Sequence, residues 1–453
     1  MRTKFPGYPV RITNPDDIVW PDDGGGSGGG DEGGGGSGGN NGNITDDVVF
    51  IDYDGTIVKT YTKEEFLALE ALPPNPSHER LTAQGWNYSI EDAKSYVTNY
   101  GRLIIGQEYT TTSGRTEIDV VLDEQTLSFG IKYSGNDDLQ GIIYWGDGTS
   151  SNLTTASGVK GHTYAAPGAY TIEISVSGTL SIGGNASPGS TLFVLENDNN
   201  PNSNRRIGYL NKIQAIRLAA NVDISAYAFC NCYSLTSIVL SKGITSIGMS
   251  AFSECYSLIS VTIPKSVTTI DSYAFSSCHS LMTVALSKGI TSIKSQLFWG
   301  CSSLTSITIP ESVTSGGSLV FQDCCSLTSI IIPEGIALIG SSDFNGCSSL
   351  ASIILPESIT TINDYAFYNC CSLTSIIIPK KVSSIYASAF FNCSSLQKIV
   401  FKRTNPPYVS NPNVWSNVLA PCTIYVPAGT LKAYKAASNY PNPSTFTYVE
   451  LPE

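Results

Sequence analysis

The chain has 453 residues, a length that calls for about three domains. Charged side chains make up only 14% of it, against roughly 25% in an average soluble chain, and Gly, Ser, Thr and Asn fill the deficit. The net charge of −12 excludes a general nucleic-acid binder, which needs basic surface. No apolar run approaches the roughly 18 residues that span a membrane, so membrane insertion is not expected either. The charge is uneven: residues 1–200 hold 27 acidic and 11 basic side chains, and residues 201–453 hold 11 and 15. This divides the chain into at least two regions. No apolar segment of the secretory type follows the first basic residues, so a signal peptide is not expected.

Residues 1–23 interleave Phe5, Tyr8, Val10, Ile12, Ile18, Val19 and Trp20 with Pro6, Pro9, Pro15 and Pro21. The segment is too short to fold alone and unusually apolar for a tail. It reads either as an anchor peptide, docking through Phe5, Tyr8, Ile12, Ile18 and Trp20, or as an unstructured leader. Residues 24–45 are almost all Gly, Ser, Asn and acid, the composition of a flexible linker.

Residues 46–122 predict a small α+β module. Val48–Tyr53 reads as a buried strand. Thr62-Lys-Glu-Glu65 is a capping box opening a helix through Leu72, before Pro73-Pro74. Ser89-Ile-Glu-Asp92 opens a second helix that Gly101 ends. Arg102–Ile105 and Thr116–Leu122 read as further strands. At Val48–Val58 the order Val-Val-Phe-Ile-Asp52-Tyr-Asp54-Gly-Thr resembles the signature of haloacid-dehalogenase-like phosphatases. The resemblance implies a nucleophilic Asp52, an acid/base Asp54 and Mg²⁺. The stretch to residue 122 shows no βαβ series to hold the rest of such a site, and Asp-Gly after a strand is an ordinary turn. The phosphatase is therefore the remote alternative, and no catalytic residue, metal ligand or cofactor is expected.

Residues 123–200 predict half-buried strands separated by turns. Trp145-Gly-Asp147-Gly-Thr149 and His162-Thr-Tyr164-Ala-Ala-Pro167-Gly168-Ala-Tyr170 resemble the motifs of PKD domains, an Ig-like β-sandwich family. The first motif is compressed and the second intact. The resemblance implies a spacer or adhesive module, with Trp145 and Tyr170 in the core or at its corner; His162, far in sequence from His78 and His279 and outside any acidic-His cluster, reads as structural.

Residues 201–453 carry the strongest signal. Phenylalanines stand at 229, 252, 275, 298, 321, 344, 367 and 390, a period of 23 without slip. A cysteine follows each by three residues, a serine by five and a leucine by six. A fixed period of this size means a solenoid whose coils bury their faces only by stacking. In coil 1, Phe229, Cys232, Leu235, Ile238, Leu240, Ile244 and Ile247 point inward, and Gly316 in coil 4 predicts a local defect. The pattern resembles BspA-like leucine-rich repeats. The family implies adhesion to protein or glycan, no catalysis, and an array end at Cys422–Ala436. The fold class is therefore mixed and mainly β: a leucine-rich-repeat solenoid preceded by an Ig-like sandwich and a small α+β module.

All 12 cysteines lie in the repeat half and are expected to be free, buried thiols. The outward strand positions are small and polar in the first coils, but Ile331, Ile354, Ile377 and Val400 form an apolar stripe in the last four. This stripe is the expected binding or oligomer face, unless loops or a neighbouring domain cover it. The whole reads as a phage virion fibre or decoration protein. Its partners are a capsid or tail protein at the N-terminus, a host surface protein or glycan at the solenoid, and a second copy of itself. A bacterial cell-surface adhesin is the alternative.

Overall fold

The structure is a computed structural model. It describes residues 47–135, 139–153, 157–182, 193–194, 211–419, 421–443 and 445–451. The anchor peptide with Phe5, Tyr8, Ile12, Ile18 and Trp20, and the linker at 24–45, lie outside the described residues.

The α+β module contains β1 (Val48–Ile51), β2 (Ile57–Tyr61), α1 (Lys63–Ala68), β3 (Leu81–Trp86), α2 (Ile90–Tyr100) and β4 (Leu103–Thr111). Both bonds of the Thr62/Glu65 capping box form, but α1 stops at Ala68, short of the expected Leu72. Ser89 caps α2, which Gly101 ends at φ 84°. The sheet order is β2-β1-β4-β3, and only β1 and β4 run parallel.

The strand β5 (Thr116–Leu122) was grouped by sequence with this module. It lies instead in the sheet of the next unit, between β10 (Gly168–Ser177) and β13 (Ile213–Leu218). Two sheets form that unit. One holds β5, β10, β13, β7 (Gln140–Tyr144) and β8 (Ser150–Leu153). The other is built on β6 (Ser128–Gly135), flanked by β9 (Ser157–Thr163), β11 (Leu180–Ile182) and β12 (Phe193–Val194). Trp145 is fully buried between them. His162 stacks on Trp145 with centroids 4.9 Å apart and bonds Asp147 at 2.7 Å, and Tyr164 donates to the Trp145 carbonyl. Tyr170 packs at the edge of the core and donates to the Ala166 carbonyl. All four residues hold a corner together.

Both sheets run directly into the solenoid. β13 pairs in parallel with the coil 1 strand β15 (Ser237–Leu240). On the other side β11 pairs with β14 (Val222–Ile224), which pairs with Ser246–Ile247. One apolar core therefore extends from Ile118 to Tyr448. At the junction Arg217 binds Glu117 at 2.9 Å and Asp119 at 2.7 Å, and Arg80 of the module binds the same Glu117 at 2.7 Å. This ion cluster joins the module to the sandwich at β13, the strand that pairs with coil 1.

The eight phenylalanine rings stack at 5.2–6.0 Å with planes within 12°. Trp415 continues the column 5.2 Å beyond Phe390. Residues two before and two after each ring enter the left-handed region, as Tyr273 and Ser277 do around Phe275. Gly300 and Gly346 take the second of these positions in coils 4 and 6, which removes the Cβ penalty there. The cysteines do more than fill space. From Cys255 to Cys393 each repeat thiol donates to the phenylalanine carbonyl of the preceding coil at 3.1–3.3 Å. The ladder of short second strands is interrupted after Thr269–Ile270 and again after Ser315–Gly316, and at the second break exposed Gly316 supplies no apolar contact.

In coil 6, Asp343 occupies the inward position that Ala holds in coils 1–3, 7 and 8. Burial pushes its carboxyl up to about 7, although the amides of Val320 and Gly340 donate to it. The unfolded carboxyl ionises near 4, so its contribution to stability is full below that pH and is lost as pH rises through about 7. Denaturant unfolding should show stability falling by on the order of 2–3 kcal/mol between pH 5 and 8. Asp343→Ala should remove that slope, and an equal slope in the variant would refute the assignment.

Burial raises the repeat thiols from Cys255 to Cys393, Cys301 to about 12. A thiol reagent should label exposed Cys325 quickly and half-buried Cys371 slowly, and the other cysteines only on unfolding. Cys301→Ala should cost about 1–3 kcal/mol by emptying volume and removing one of the two hydrogen bonds that the Phe275 carbonyl accepts. Rapid native labelling of Cys301 would contradict this.

Candidate binding face

The Asp52–Asp54 turn has a structural explanation. Asp52 is buried and its carboxylate meets the His78 Nε2 at 2.7 Å and the Tyr53 amide at 2.8 Å. Asp54 Oδ1 accepts from the Thr56 amide, closing the turn. The Tyr53 carbonyl accepts from the Ser260 hydroxyl of coil 2 at 3.0 Å. A Cβ at Gly55 would lie 3.1 Å from that serine. The turn is thus pressed against the solenoid in a four-stranded mixed sheet, not open at the end of a parallel one. Among the described residues no three His, Cys, Asp or Glu side chains come together to hold a metal.

The module sits on the strand face of the first coils. Gly106 of β4 makes this approach: a Cβ there would stand 2.3 Å from Thr262 Oγ1 and 2.8 Å from the Ala285 Cβ. Ala285 packs among Val49, Ile51 and Ile104. Asn87 donates to the Ala285 carbonyl at 3.3 Å, Tyr96 to the Ile309 carbonyl at 2.9 Å, and the Ile104 amide to Thr308 Oγ1 at 3.1 Å. Lys288 pairs with Asp92. The hydroxyls of Thr262 and Ser306 are buried without a partner, so close packing rather than full hydrogen bonding shapes the contact. The small outward residues of coils 2–4 are small because another backbone lies on them.

The apolar stripe is where this cover stops. Ile331, Ile354, Ile377 and Val400 occupy equivalent outward positions in coils 5–8; Ile331 pairs with Ile354 and Ile377 with Val400. Ile354 is 55% exposed and Ile377 49%, while Ile331 and Val400 are half-buried. A domain does cover part of this ladder, but the part it covers is the small, polar one. The stripe also extends further than the repeat period shows: Val400 pairs with Tyr425, and Tyr425 with exposed Val449. The cap breaks the 23-residue spacing, and the alternating Thr423-Ile-Tyr-Val was the available signal. On the opposite turns Tyr233, Tyr256 and His279 form a second surface ladder, 4.7 and 4.9 Å apart.

Residues 222–334 and 317–411 match a protein family described as the BspA type leucine rich repeat region, in six copies. The repeat half is a leucine-rich-repeat solenoid. Solved structures similar to this chain include three bacterial leucine-rich-repeat proteins. One from T. pallidum is 29% identical, with 43% of this chain and 85% of that one covered and a TM-score of 0.34. One from Bacteroides ovatus is 24% identical, covering 51% and 76%, with a TM-score of 0.26. A leucine rich cell surface protein from Faecalibacterium prausnitzii is 22% identical, covering 51% and 87%, with a TM-score of 0.27. No curated protein matches the chain.

Gly106→Val should separate the module from coils 2 and 3 or strain both, at a cost of about 1–3 kcal/mol. Hydrogen exchange should then rise at Ser260–Thr262 and Thr283–Ala285 while coils 6–8 stay protected. Unchanged exchange would show that the packing tolerates a side chain there.

Proposed function

We propose that this chain is a non-enzymatic binding protein that presents the strand face of coils 5–8 and the cap to a partner. One observation carries the reading. The same ladder is covered by the α+β module over small residues and left open where the outward residues become Ile331, Ile354, Ile377, Val400, Tyr425 and Val449. Contiguous exposed apolar residues of this kind mark interaction surfaces. The family match, whose repeats are characteristically non-enzymatic, supports binding. The partner is a host surface protein or glycan, or a second copy of the chain.

Repeats of the BspA type are characteristic of bacterial cell-surface proteins, which supports an exposed location. The finer placement, a fibre on a phage virion held to a capsid or tail protein by Phe5, Tyr8, Ile12, Ile18 and Trp20, draws on the apolar, proline-rich composition of residues 1–23. Because the module rests on coils 2–5, such an anchor leaves from the strand face itself, and the sandwich closes coil 1 rather than standing between anchor and solenoid. Mass spectrometry of purified gut phage particles and of intact cells separates the two locations.

The double variant Ile354→Asp/Ile377→Asp should keep its circular dichroism, because both positions are exposed. It should weaken binding to intact gut-bacterial cells, or self-association, by at least roughly tenfold, about 1.4 kcal/mol. If both properties match the parent chain, the face is not the binding surface.

A further inference from the structure

The uncovered stripe is flanked by charge in a specific order. Along Lys398–Phe401 and the residue after it, Lys398, Val400 and Lys402 alternate outward. The Lys398 ammonium lies 5.2 Å over the Tyr425 ring, on the outer face, and Lys402 reaches Glu357 at 2.8 Å. An occupant complementary to this strand has an apolar centre with acid on both sides. The chain contains one: Asp16-Asp17, then Ile18-Val19-Trp20, then Pro21-Asp22-Asp23.

The point where the described chain begins fits the same occupant. The Asp47 carbonyl accepts from the Leu103 amide at 2.9 Å. Next to Leu103, Arg102 donates to the Ser329 hydroxyl of coil 5 at 3.0 Å. Coil 5 is where Ile331 opens the stripe. The N-terminal segment therefore joins the module at the border between covered and uncovered face. Half of the 26 residues between Trp20 and Asp47 are glycine, a composition and length whose reach is roughly 25–30 Å. Coil 8 lies three strand spacings from coil 5, only about 15 Å. A tether this short gives an effective concentration in the millimolar range.

We propose that in the free chain the segment Asp16–Asp23 docks on its own solenoid, with Ile18, Val19 and Trp20 over Ile377 and Val400 and the acidic pairs against Lys398 and Lys402. The strand face is then covered twice by the same polypeptide, permanently by the module and reversibly by the N-terminal segment. A partner that takes the segment uncovers the stripe, and a partner that takes the stripe releases the segment. The docking concerns the face of the proposed binding function but does not require that any external target use it.

Zero-length carbodiimide cross-linking of the full chain at low micromolar concentration tests this, with unlabelled and ¹⁵N-labelled chains mixed. Linkages from Asp16, Asp17, Asp22 or Asp23 to Lys398 or Lys402 are expected within single isotopic chains. They should fall roughly tenfold in Ile377→Asp. They should fall equally in Trp20→Ala, which leaves the solenoid untouched. Absence of these linkages, a yield in either variant that matches the parent chain, or linkages mainly between isotopes would each overturn the proposal, the last by making a second copy the occupant. Loss of cell binding in Ile354→Asp/Ile377→Asp with cross-links unaffected by Ile377→Asp would leave the binding function standing and remove only the cis docking.

Discussion

The constraint that governs this molecule is that a solenoid has open ends. Each coil offers unpaired backbone groups and an apolar cross-section to the next, and the first coil has no predecessor. Here the predecessor is a sandwich whose two sheets continue into the two sides of the solenoid at β13 and β14. Hydrogen bonding and apolar burial pass through the junction without a gap. At the far end Trp415 completes the ring column, and Tyr434, on the helix Leu431–Ala436, packs with Tyr440 around Phe401. The interior of the array is then stabilised by repetition: ring on ring, thiol to carbonyl, strand on strand.

The Glu117 cluster adds orientation to this continuity. Two arginines from different parts of the chain share one buried carboxylate. Such a cluster costs desolvation and contributes little net stability, but it disfavours arrangements in which either guanidinium loses its partner. With Gly106 seated on Thr262 and Ala285, it sets where the module rests on the ladder. That position in turn decides which coils face outward.

Much of this was legible in the residues. The period of 23, the inward set and the defect at Gly316 follow from counting, because every coil solves the same packing problem. His162 reads as structural because no other histidine lies near it in the sequence, but nothing in the sequence shows that Asp147 pairs with it. The docking of the module was not. Ser260, Thr262 and Ala285 suit a solvated strand as well as a close contact, and the glycine that makes the contact lies some 150 residues earlier, at position 106. The membership of β5 was hidden for a similar reason, since an alternating strand does not state which sheet it joins. The cysteine position read as a small hydrophobe because nothing local shows that a carbonyl of the preceding coil lies above it.

The division of labour along the ladder has a consequence for how such a protein changes length. The module grips coils 1–5 through contacts specific to them, from Ser241 to Ser329, and the cap grips coil 8. Among the described residues no hydrogen bond or ion pair ties coils 6 and 7 to either. A gene segment encoding one repeat could be duplicated or lost there in register. Both closures would survive, and the open face would grow or shrink by one strand, about 4.8 Å. Reach and contact area would vary in whole steps, while the parts that keep the array folded stayed the same.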